Sequence, residues 1–226
     1  VKFHDGTVMT PTDVAYSLQR GLLQGGYSSP QWLLAEPFFG VGNDDMSMVI
    51  GNLITAKVDA KADELVAAAP ADFAVFFTDL VAFYNTTSGL AVSAEAVLVD
   101  EANAETIAAV TPETFKATAL DLLGAAEGGS PYHTADDRHA MIAVDAAVLK
   151  EAGDMVLSAI VADDAAGTVT MTLAQPWGPF LATIAQSWGS IMSKAWVIEN
   201  GGWDGTADTW QNTYGMASAD DPFSTI

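Results

Sequence analysis

The sequence predicts an α+β fold with a mainly helical middle, and three observations predict it. A capped apolar stripe at helical spacing follows a short extended opening. Residues 41–153 are dense in Ala, with few aromatics outside 73–84. Two runs rich in Val, Ile, Thr and Met then flank Asp163-Asp164-Ala165-Ala166-Gly167. With 226 residues, half of them hydrophobic, the chain can bury a sizeable core, and disorder is unlike this composition.

The first segment, 1–40, reads as strand, turn, helix and loop. Residues 1–4 are extended and Asp5-Gly6-Thr7 turn the chain. Thr10 is placed to cap a helix, Pro11 suits the first helical position, and Asp13 stands three residues after the cap, where its carboxylate reaches back to the cap's amide. Val14, Leu18 and Leu22 then form the buried stripe, ended by Gly25-Gly26. The second segment, 41–153, predicts helices over 53–69, 72–84, 112–126 and 135–152, the last two with Thr111 and Thr134 as caps. Such Ala-rich helices bury little area each and depend on their neighbours. No fixed-period repeat points to a solenoid. In the third segment, 154–226, residues 155–162 and 168–173 read as a hairpin whose turn offers Gly167 for a positive φ. A short helix over 180–186, a strand over 187–194, a helical turn over 195–200 and a loop from Trp203 onward complete the reading.

Charge narrows the function. Eight Lys and Arg against 29 Asp and Glu give a net charge of −21, a field that repels nucleic-acid phosphates and anionic lipid. The most apolar long window, 65–84, contains Pro70, Asp72 and Asp79 and does not read as a membrane span. The absence of cysteine removes disulfides, thiolate metal sites and a cysteine nucleophile. No signal-peptide pattern is seen at the front, and an opening at Val1 inside a strand reading makes a piece of a longer protein the expectation.

The catalytic inventory is thin. His4-Asp5 lacks the further ligands of a metal-dependent phosphohydrolase, and His133 and His139, six apart, do not share the i, i+4 face that clasps zinc. Nucleophile elbow, phosphate loop and dinucleotide fingerprint are all missing. The acid pairs Asp44-Asp45, Asp136-Asp137, Asp163-Asp164 and Asp220-Asp221 do not continue as calcium loops and read as solvated turns or helix starts. The expectation is therefore no catalytic residues, no metal and no cofactor. Six tryptophans, Trp32, Trp177, Trp188, Trp196, Trp203 and Trp210, mostly lie in Gly- and Pro-broken stretches, and as a group they point to binding more than to catalysis.

Val1-Lys2-Phe3-His4-Asp5-Gly6-Thr7, then Thr10, then Asp13-Val14-Ala15-Tyr16-Ser17-Leu18-Gln19-Arg20 resembles the signature segment of the family 5 extracellular solute-binding proteins, the dipeptide-, oligopeptide- and nickel-binding receptors of ATP-driven importers. The stretches Thr168-Val169-Thr170-Met171-Thr172-Leu173, Gln175-Pro176-Trp177-Gly178-Pro179-Phe180-Leu181 and Ser190-Ile191-Met192-Ser193-Lys194 follow in that family's order, so that the likeness covers about 100 of the 226 residues. It implies part of a periplasmic-binding-protein type 2 lobe, a mixed sheet with flanking helices, in which 1–40 and 154–226 form the solute-binding subdomain and 41–153 is an insertion longer than the family's usual connection. It further implies a small-molecule or peptide ligand, a permease of an ABC transporter as partner, no nucleic acid, no chemistry of its own, and an extracytoplasmic address for the parent protein. Trp32, Trp188, Gly189 and Ser190 occupy places that approach the ligand cleft in relatives. Two other classes compete: an interaction module carried by the helical insertion, marked by a large exposed apolar patch, and a secreted hydrolase, marked by two carboxyls about 5 to 9.5 Å apart in a cleft.

Overall fold

A computed structural model describes residues 1–24, 32–42, 45–127 and 141–215. Over these residues the fold is α+β: many helices and one small antiparallel sheet. The opening strand is reduced to a single bridge between Lys2 and Val8, closed by the Phe3 amide on the Thr7 carbonyl at 2.9 Å and by the turn at Gly6, φ +89°. Helix α1, Pro11–Leu23, starts as the sequence predicts. The Asp13 amide donates to Thr10 Oγ1 at 3.3 Å and the Thr10 amide to Asp13 Oδ2 at 2.9 Å, a closed capping box. Leu18 and Leu22 are buried, and Val14 is half-buried.

The stretch expected as a loop before residue 40 contains helix α2, Trp32–Phe39, with Leu34, Ala35 and Phe38 in the core. Helix α3, Met46–Ala67, begins well before the expected residue 53, because the buried Asp45 caps it by accepting the Ser47 amide at 2.8 Å. Helix α4, Phe73–Ser88, is capped by Asp72 and ends at the left-handed Gly89. Two short helices that the sequence reading lacked follow, α5 (Ala94–Val99) and α6 (Ala104–Ala108), and then α7, Phe115–Glu127, in the expected place. Phe115 meets the rings of Phe73 and Phe76 at 5.6 and 5.7 Å, which locks α7 to α4.

The next two expectations need correction. Residues 135–140 of the expected helix 135–152, with its Thr134 cap, lie outside the described residues. From 141 the chain makes one helical turn, and Asp145, accepting the Ala147 amide at 2.8 Å, then caps a new helix α8, Ala146–Ala159. Helix α8 runs through most of the expected strand 155–162: Val148, Leu149, Ala152 and Val156 bury one helical face, so the 3.6 period prevails over β-branching. Only Ile160–Asp163 is strand β1. It pairs in antiparallel with β2, Thr168–Met171, in the register Ile160 to Met171 through Asp163 to Thr168, and Gly167 has the expected positive φ of 70°. Among the described residues this hairpin is the whole sheet, so the mixed sheet implied by the family resemblance is not formed there.

Beyond β2, helix α9 spans Phe180–Ile184. The expected strand 187–194 is instead a 3-10 turn, Ser187–Gly189, followed by extended residues that hydrogen-bond to side chains of α1 rather than to a neighbouring strand. Helix α10 is Lys194–Glu199. The loop-like tail buries Trp203, Ala207, Trp210 and Tyr214, and one continuous hydrophobic cluster runs from α1 through α3, α4, α7 and α8 to Trp210 and Tyr214. No described helix is long and apolar enough to cross a membrane.

Candidate functional site

Helix α1 is the axis on which the front and the tail of the chain meet. Its capping carboxylate has two jobs: Oδ2 of Asp13 closes the capping box, while Oδ1 accepts the amide of Lys194 at 2.9 Å. One turn on, Ser17 Oγ accepts the Met192 amide at 2.9 Å and donates to the Asp13 carbonyl at 2.7 Å. The Arg20 guanidinium reaches Met192 Sδ at 3.8 Å. Three residues of one helical face, Asp13, Ser17 and Arg20, therefore hold the extended stretch that leads into α10. Both buried side chains, Asp13 and Ser17, are satisfied by backbone groups more than 170 residues away, which fixes the position of that stretch as a strand partner would.

The adjoining face of α1 is held equally firmly. Thr12 donates its amide and hydroxyl to Asp164 at 2.8 and 2.7 Å, seating the hairpin turn on the helix N-terminus, where a carboxylate is stabilised. Gln19 Nε2 donates to the Ile160 carbonyl at 2.7 Å. Tyr16 stacks on Trp203 with centroids 5.3 Å apart, donates its hydroxyl to the Trp203 carbonyl, and carries Lys194 Nζ above its ring at 5.5 Å. Burial, opposed by Arg20 and reinforced by Asp204, pushes the Tyr16 phenol up to about 12.

A cleft of about 410 Å³ opens where these segments meet. Phe3, His4 and Asp5 form one wall, and Ile191, Met192, Ser193 and Trp196 form the other. Its surface is mainly apolar and aromatic, with one carboxylate, one imidazole and one hydroxyl. The Asp5 carboxylate accepts the Thr7 amide and hydroxyl at 2.8 and 2.7 Å, and these bonds lower its pKa and keep it charged. Ser193 Oγ accepts the Trp196 amide at 3.3 Å and so caps α10. Hydrogen bonding thus directs Asp5 to Thr7 and Ser193 to Trp196. Chemically, the walls suit a ligand with an apolar part to lie on Trp196 and Met192 and a polar or cationic group to meet Asp5.

The residues singled out from the resemblance fall around this cleft in different ways. Gly189 and Ser190 end the 3-10 turn immediately before Ile191, where the lining begins. Ser190 is exposed; Gly189 fits because a Cβ there would stand 1.9 Å from the Ile184 carbonyl oxygen. Trp188 lies in the same turn and Trp32 opens α2, and their side chains are outside what the structure describes. Backbone packing brings α2 and the 3-10 turn onto α1, with α9 touching both. Of the other tryptophans, Trp196 lines the cleft, whereas Trp203 and Trp210 are core residues: Trp203 Nε1 donates to the Thr206 carbonyl and Trp210 Nε1 to the Leu149 carbonyl. The binding role expected of the tryptophans as a group does not extend to these two. Sequence reasoning missed His4, Asp5, Ile191, Met192, Ser193 and Trp196 as one surface, although every one of them except Trp196 lies inside a stretch quoted for the resemblance.

Among the described residues no group of three His, Asp or Glu is placed to hold a metal ion. The chain matches no protein-family model, no curated protein and no solved structure.

Proposed function

We propose that this chain is part of an extracytoplasmic solute-binding receptor that captures a ligand, peptide-like in chemistry, for an ABC importer. The observation that supports the reading is the cleft built jointly by Phe3-His4-Asp5 and Ile191-Met192-Ser193-Trp196, segments nearly 190 residues apart that, Trp196 excepted, belong to the stretches resembling the family 5 receptors. An apolar and aromatic wall facing a charged carboxylate matches a short peptide, whose amino terminus pairs with Asp5 while a side chain rests on Trp196. The family's receptors enclose the ligand between two lobes. A cleft on one lobe alone therefore contributes weak affinity, of the order of 1 mM, because enclosure supplies most of the binding energy.

The test is a titration of the isotope-labelled chain with di- and tripeptides, followed by amide chemical shifts. The expected result is a joint perturbation of residues 3–5 and 191–196 that is lost in Trp196→Ala and weakened in Asp5→Asn. Perturbation of neither segment by any peptide would refute the reading.

A further inference from the structure

A second cavity, of about 470 Å³, lies on the helical segment between α3, α4 and α7, away from the cleft on α1. Ile54 and Val58 of α3 and Leu120 and Leu123 of α7 give it apolar walls; Asn52, Thr55, Asp59, Tyr84 and Glu127 supply its polar atoms. Its size is that of small-molecule sites.

Two glycines in its lining need explaining. Gly51 lies within α3 and Gly124 within α7, where glycine weakens a helix relative to alanine. Neither has a packing reason, because a Cβ at either position would meet nothing within 4 Å. Gly153 of α8 shows the contrast: its Cβ would stand 2.3 Å from the Ala207 carbonyl oxygen, so close approach of backbone requires glycine there. What Gly51 and Gly124 share is the cavity, and a side chain at either would project into open space beside it.

Charge narrows the occupant. The lining residues include two carboxylates and neither lysine nor arginine. Asp59 is matched by Lys116, at 2.9 Å, which also bonds Asp63 at 2.7 Å. Glu127 has no cationic partner among the described residues, and Tyr84 stands with it in the cavity lining. Although Glu127 as a residue is exposed, partial desolvation of its carboxyl raises its pKa, with Tyr84 opposing. A carboxylate drawn against an apolar wall gains most from a ligand that brings its own positive charge.

We infer that the cavity between α3, α4 and α7 is a binding site for a small amphipathic amine, its ammonium on Glu127 beside Tyr84 and its apolar body against Ile54, Val58, Leu120 and Leu123. This site does not depend on the receptor reading.

Calorimetric titration of the full chain with 2-phenylethylamine, 2-phenylethanol and 3-phenylpropionate tests it, the three probes sharing an aromatic body and differing in the charge of the head group. The amine is expected to bind about fivefold or more tighter than the alcohol, as a charge-assisted bond gives, with the anion weakest. Glu127→Gln is expected to erase the preference for amine over alcohol. Gly51→Leu and Gly124→Leu are expected to abolish binding while the far-UV circular dichroism and melting midpoint are kept. Should a leucine variant fail to fold, Gly124→Ala is expected to fold and to weaken binding. Equal affinity for amine and alcohol, a preference that survives Glu127→Gln, undiminished binding in the glycine variants, or no binding of any probe would each overturn the assignment.

Discussion

Single residues in this protein are decided by backbone geometry and by desolvation. Gly6 has a φ of +89° with nothing near its absent Cβ, so a side chain there meets strain and no clash. Gly6→Val is expected to cost about 1 to 3 kcal/mol, seen as a lowered melting midpoint. Two helical glycines should respond in opposite directions. Gly153→Ala drives a methyl into the Ala207 backbone and is expected to destabilise, whereas Gly124→Ala adds helix propensity in open space and is expected to stabilise by about 0.5 to 1 kcal/mol. Denaturant midpoints of the two variants measured side by side check the pair. Tyr16 makes a pH prediction. Its phenol titrates near 12 in the folded chain because burial disfavours the phenolate, against about 10 when unfolded. The unfolded state therefore releases this proton first. The stabilisation is complete below pH about 10 and is lost as pH rises toward about 12. Tyr16→Phe is expected to flatten the fall of stability across that window. An unchanged alkaline slope would show that Tyr16 is not the group responsible.

At the scale of elements, α1 combines local and distant bonding. Its capping box was legible because Thr10, Pro11 and Asp13 carry the whole signal within four residues. That the same Asp13 also receives the Lys194 amide was not legible, since nothing local marks a partner 181 residues away. Asp13→Ala is expected to cost about 2 to 3 kcal/mol, more than a cap alone, because it removes the cap bond and leaves the part-buried Lys194 amide without its acceptor. Asp13→Asn, which keeps one acceptor oxygen, should recover part of that loss, and thermal unfolding of both variants measures the difference. The misreading of 155–162 has an equally physical source. Met155, Val156, Leu157, Ile160 and Val161 make an apolar run whose composition suits a strand. Whether it follows period 2 or 3.6 was settled by Val148, Leu149 and Ala152 upstream, which continue the buried helical face to Val156. Helix α2 escaped notice because it spans only eight residues and Pro37 interrupts its helical pattern.

Over the whole molecule, the α+β class and the helical character of the middle segment could be read from composition and period, because both are local averages. The candidate cleft could be read only in part. The sequence marks Phe3-His4-Asp5 and Ile191-Met192-Ser193 as separate stretches, and folding on α1 makes them opposite walls. Trp203 and Trp210 show the converse: aromatics in a polar, Gly-broken stretch read as pointing to binding, yet their indole N–H groups find backbone carbonyls and their rings complete the core. The single hydrophobic cluster extends from α1 to Tyr214, so the front, the helical middle and the tail share one buried interior. The joining of front and tail by α1 is tested most directly by amide hydrogen exchange at Met192 and Lys194, whose N–H groups end on Ser17 and Asp13. Both amides are expected to exchange slowly, at rates tracking the α1 amides, and Ser17→Ala is expected to release Met192 first. Exchange of Met192 and Lys194 at the rate of an unstructured peptide, with α1 still protected, would contradict the account.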